Sequence, residues 1–143
     1  MNPPTRLAQI FDSASLEIGE CSQRTGIPFA WVRDLLDCAD ELEMNFPLRW
    51  IRPLADFCNV RPSFLFTEAH REGFEISAAQ LLAALKSTLA REGMSSEQFS
   101  EKVGYTLRNE AGEWTSPGGW NIKELREVCE FVKVDWLDVI EGM

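Results

Sequence analysis

At 143 residues the chain is long enough for one ordinary domain or two very small ones, and a content of 45% hydrophobic and 10% aromatic residues excludes disorder by composition. The net charge of −9 is shared by the halves: six bases and ten acids in residues 1–70, eight and thirteen in residues 71–143. Without clustered Lys and Arg there is little counterion release, which argues against an architectural nucleic-acid role but leaves recognition by a locally basic face open.

In chain order, "MNPPTR" carries no apolar leader and no later apolar run approaches a membrane span. The four cysteines (Cys21, Cys38, Cys58 and Cys129) form no CxxC pair and fall within apolar helical patterns. Buried free thiols in a reducing compartment are expected, and with them a cytoplasmic protein.

Helical segments follow one another, and no alternating strand pattern interrupts them. Gly26 suits the left-handed residue that closes a helix, and Pro28 suits the first turn of the next. Residues 28–43, "PFAWVRDLLDCADELE", read as one amphipathic helix with Trp31, Leu35, Cys38 and Leu42 on its apolar face. Its other face carries Asp34, Asp37, Asp40, Glu41 and Glu43 against a single base, Arg33. Pro47 opens another helix, and Pro53 inside it requires that this helix be kinked or start late. The charged stretch "TEAHREGFEIS" suits a linker. Beyond it, Ser77 with Gln80, Ser95 with Gln98, and Asn121 with Glu124 predict capped helix starts near 78, 96 and 122. "LRNEAGEWTSPGGWN" leaves little room for a regular helix.

The two blocks, 5–66 and 78–143, look like distant copies. Leu48, Ile51, Leu54, Ala55 and Cys58 match Ile122, Leu125, Val128, Cys129 and Val132, and Phe57 and Val60 match Phe131 and Val134. Upstream, Ser22, Arg24 and Gly26 match Ser100, Lys102 and Gly104. Each block reads as five short helices.

This order resembles the lambda-repressor-like (Cro/repressor-type, XRE) helix-turn-helix family. It is carried by "LLAALKSTLAREGMSSEQFSEKVGY" with "NIKELREVCEFVKVDWLDVIEG", and more weakly by "RLAQIFDSASLEIGECSQRTGIPFAWV" with "PLRWIRPLADFCNVRPSFLF". The resemblance implies an all-α fold of two small five-helix subdomains in tandem, 1–66 and 78–143, joined by a linker at 67–77. It implies either a pseudo-symmetric monomer or a homodimer. Family members usually read DNA with their third helix. By position the reading residues are Phe29, Ala30 and Arg33 in the first block and Thr106, Arg108 and Asn109 in the second. Lys102 and Arg24 are placed to contact phosphates or to complement their helix dipoles.

The chain departs from that pattern in both blocks. The first replaces a polar reading helix with an apolar and acidic one, and the second substitutes a Gly- and Pro-rich stretch. The function expected first is therefore a non-enzymatic regulator or adaptor acting through protein–protein contacts, in phage-, defence- or repressor-associated systems. Its contact residues would be Asp34, Asp37, Asp40 and Glu41, with Trp114 and Trp120 as partly exposed anchors. Taken by itself, the acidic run reads first as an ordinary solvated helix face. The alternative is a transcriptional regulator that reads DNA mainly through the second block, using Lys102, Thr106, Arg108 and Asn109 with a contribution from Arg33. No catalytic, cofactor or metal site is expected. His70 stands alone in the linker, and the sequence holds neither a nucleophile elbow nor a P-loop.

Overall fold

The computed structural model describes residues 5–38, 41–70, 74–103 and 119–143. Among them the chain is all-α, with no strand beyond one isolated antiparallel bridge between Pro47 and Asn121. The helices of the first half are α1 (Arg6–Ser13), α2 (Ile18–Thr25), α3 (Phe29–Asp37) and α4 (Ile51–Cys58). Those of the second half are α5 (Ala78–Arg91), α6 (Ser96–Val103), α7 (Ile122–Val132) and α8 (Trp136–Glu141). A single π-turn (Glu41–Asn45) and two 3-10 turns (Leu48–Trp50 and Pro62–Leu65) complete the first half.

The capping signals act where they were read. Ser77 and Gln80 exchange reciprocal bonds of 3.1 and 2.8 Å, as do Ser95 and Gln98. Asn121 and Glu124 do the same at 2.9 and 3.2 Å. Each pair satisfies backbone N–H groups that the first turn leaves without carbonyl partners. α4 starts late: residues 48–50 form a 3-10 turn, so Pro53 lies in the first α-helical turn, where its missing N–H costs nothing. Gly26 closes α2 at φ +81°, a left-handed conformation that favours glycine.

Residues 28–43 do not form one helix. α3 ends at Asp37, Cys38 is extended at φ −133°, and the chain resumes in the π-turn. A continuous helix would stack Asp37 and Glu41 as like charges at i, i+4. The break instead lets Leu42 turn inward, and Leu42 and Phe46 are both buried. Cys38 is consequently exposed, in contrast to the burial expected of it, while Cys21, Cys58 and Cys129 are buried.

The two halves share one apolar core that runs from Leu7 and Cys21 through Ile51 and Leu54 to Leu85, Leu125 and Ile140. Backbone bonds join them across the bridge. Leu48 N–H donates to the Trp120 carbonyl at 2.8 Å, and Ile122 N–H to that of Phe46 at 3.1 Å. The stretch read as a linker is pinned at two points. His70 is buried with its Nε2 2.6 Å from Asp138 Oδ1, and Ile76 N–H donates to the Asp138 carbonyl at 2.8 Å.

Matched positions in the two halves behave alike. Leu16 N–H returns to the Phe11 carbonyl after Ser15 at φ +54°, and Met94 N–H returns to Leu89 after Gly93 at φ +66°. Val60 N–H returns to Ala55 after Asn59 at φ +56°, and Val134 N–H to Cys129 after Lys133 at φ +61°. These left-handed closures satisfy carbonyls that a helix end leaves open.

Candidate functional site

The surface of α3 is set by its burial pattern. Val32 and Leu35 are buried, Trp31 and Leu36 are half-buried against the core, and Phe29, Asp34 and Asp37 are exposed. Phe29 opens the helix with half its surface in solvent (52%), an uncommon place for a phenyl ring. Arg33, the only base on α3, has its Nε 3.9 Å from Asp34 Oδ1. Glu41 is half-buried on the π-turn, outside α3, and accepts a 3.4 Å bond from Asn45. Asp40 lies outside the described residues.

Phe29 and Leu36 form one wall of an open groove of about 560 Å³ between α3 and the α1–α2 corner. Phe11, Leu16 and Ile18 make its apolar floor, and Asp12 and Glu17 stand on it as the charged residues. No cation lines it among the described residues. Arg6, the base on α1, is turned away: its Nε donates to the Phe64 carbonyl at 2.7 Å and its guanidinium covers the Phe64 ring. Arg24, on α2, is held by Glu20 at 3.3 Å.

The same corner recurs in the second half, between α5 and α6, with a different lining. There Lys86, Leu89, Ala90, Met94 and Ser95 occupy the positions of Ala8, Phe11, Asp12, Leu16 and Glu17. Ala90 and Ser95 thus stand where the first corner has its two acids, Lys86 stands where it has Ala8, and Glu97 stands where it has Gly19.

The residues proposed to read DNA are only partly in view. Lys102 is exposed at the end of α6, with its ammonium 5.7 Å from the Phe131 ring centroid, where it covers an aromatic face. Thr106, Arg108 and Asn109 lie outside the described residues, as does Trp114. Trp120 differs from expectation: only 3% of it is exposed, because the bond from Leu48 and the bridge at Asn121 draw this stretch onto the first half. It packs into the core and offers no anchor at the surface.

A buried polar cluster joins the halves on the far side of α4. His70 meets Asp138, Arg61 Nη2 donates to the His70 carbonyl at 2.7 Å, and Ser63 N–H donates to Glu141 Oε1 at 2.7 Å. The sequence places these residues far apart and gives no local signal for their meeting. The Ser63 hydroxyl and His70 Nδ1 are buried without hydrogen-bond partners among the described residues. They are therefore not bonded to one another, and the nucleophile–base link of a hydrolytic triad is not made. Among the described residues no group of three His, Cys, Asp or Glu side chains is arranged to hold a metal ion. Within the same residues no helix is long and apolar enough to cross a membrane.

Comparison with protein-family models, with curated proteins and with solved structures returns no match for this chain.

Proposed function

We propose that the chain is a non-enzymatic regulatory or adaptor protein that works through protein–protein contacts on a degenerate, tandem helix-turn-helix scaffold. One observation carries this reading. The helix that follows the Gly26 turn, where a reading helix would stand, presents Phe29, Asp34 and Asp37 to solvent, and its one base, Arg33, lies 3.9 Å from Asp34. At about 6 Å in exposed surroundings, each carboxylate facing a phosphate costs roughly a few tenths to one kcal/mol, and a single arginine offsets only part of that. An exposed phenyl ring beside carboxylates suits a protein surface with apolar and basic groups.

The tandem reading draws support from the repeated left-handed closures after α1 and α5 and after α4 and α7. In it, residues 1–66 and 78–143 are two copies of one helical unit, held face to face by a common core, and the second copy takes the place of a dimer partner.

Fluorescence anisotropy against a pool of the protein's own upstream genomic DNA, at about 50 and about 200 mM salt, tests the proposal. No saturable binding is expected at either concentration. Saturable binding that weakens by orders of magnitude at the higher salt would establish the DNA-regulator alternative, and Arg108→Ala and Asn109→Ala would then locate the contact in the second half.

A further inference from the structure

We infer that the groove between α3 and the α1–α2 corner binds a basic amphipathic helix of a partner protein, a deepening that rests on the adaptor reading above. Phe11, Leu16, Ile18, Phe29 and Leu36 supply the apolar part of its lining, and Phe29 is left half in solvent. An open groove with apolar lining suits the i, i+3, i+4, i+7 stripe of a helix. Charge fixes the kind of helix. Asp12 and Glu17 line the trough and Asp37 follows Leu36, and none of the three is in an ion pair among the described residues. A helix whose apolar stripe is flanked by Lys or Arg pairs these carboxylates, whereas an acidic helix meets repulsion. A second copy of this chain is a poor occupant, since each copy carries a net charge of −9.

The molecule holds its own comparison. The position-matched corner in the second half has Ala90 and Ser95 in place of Asp12 and Glu17, Lys86 where the first has Ala8, and Glu97 where the first has Gly19. The first corner thus carries two acids and no base, whereas the second carries one acid and one base, so only the first has a net charge complementary to a basic helix.

The probe is a fluorescein-labelled peptide of about 18 residues, long enough to form a helix, with leucine at i, i+3, i+4 and i+7 and lysine elsewhere. A matched peptide carries glutamate in place of every lysine. Binding is measured by anisotropy on the full chain, on Phe29→Asp, and on the double variant Asp12→Ala/Glu17→Ser, which takes the second corner's residues at those two positions. The lysine peptide is expected to bind the wild type, and both variants are expected to weaken it about tenfold or more. Phe29→Asp separates the groove from general charge attraction, because it adds an acid and still removes the anchor. Since Phe29 is exposed, a circular-dichroism melt will show the variant folded. Four results would overturn the inference: no binding of the lysine peptide, unchanged or tighter binding by Phe29→Asp, equal binding of the glutamate peptide, or wild-type self-association that Phe29→Asp abolishes. The adaptor reading survives these if the DNA titration stays negative, and falls separately if that titration is positive.

Discussion

The Arg24 guanidinium lies 5.1 Å from the centroid of the Phe57 ring, at the closing end of α2. Its counterpart in the second half repeats the relationship, with Lys102 over Phe131. In the helix-turn-helix reading proposed above, both bases would stand near phosphate; in the structure both cover a phenyl face. An exposed cation–π contact contributes about 0.5–1 kcal/mol, part of it through packing of the side-chain stem. Lys102→Ala and Arg24→Ala should each lower the urea midpoint by an amount in that range without changing the slope of the transition.

The His70–Asp138 contact is the strongest polar tie between the inter-helix stretch and α8, with the two side chains 2% and 13% exposed. Removing one partner leaves the other in a site with little water. Asp138→Asn and His70→Ala are each expected to cost about 2 kcal/mol or more. Because one core spans both halves, tryptophan fluorescence and far-ultraviolet circular dichroism should follow the same urea curve before and after substitution. A wild-type protein that melts in two separate steps would contradict a shared core.

The thiols provide a pH test. Burial pushes Cys21 up to about 11 and Cys58 and Cys129 up to about 12, from an ordinary value of 9.0. In the unfolded chain the same thiols ionise near 9, so above that pH the folded state binds more protons than the unfolded state. Stability is therefore untouched by these groups below pH 9 and falls as pH rises from about 9 towards 12. Mass spectrometry after brief iodoacetamide treatment at pH 8 should find one alkylated site, Cys38, in the native protein and four after denaturation.

Trp120 is expected to behave as core. Trp120→Ala should destabilise by about 3–5 kcal/mol, the range for truncating a buried aromatic ring. A change of a few tenths would return this side chain to the surface.

Helix starts were legible because capping is local chemistry. Ser77 and Gln80 are three residues apart in sequence and in the bond they make, and Pro53 announced a late start through its own missing N–H. The face shared by Leu48, Ile51, Leu54 and Ala55 was legible in its spacing, and those side chains are buried. The break at Cys38 was not, since the 3.6 period runs through it while the burial of Leu42 and Phe46 that follows the break depends on contacts distant in sequence. Burial of His70 and Trp120 was hidden for the same reason: their partners Asp138 and Leu48 are more than sixty residues away. The exposed acids on α3 were readable from composition. The groove was not, because its floor comes from α1 and α2 and its wall from α3.

The central claim is that the α1–α3 face meets a protein. It is tested most directly by placing a photo-crosslinking phenylalanine derivative at position 29 in cells of the source organism, with exposed position 83 on α5 as the control. The expected result is a discrete protein adduct from position 29 and none from position 83. Adducts to nucleic acid, the same adducts from both positions, or none at all would contradict it.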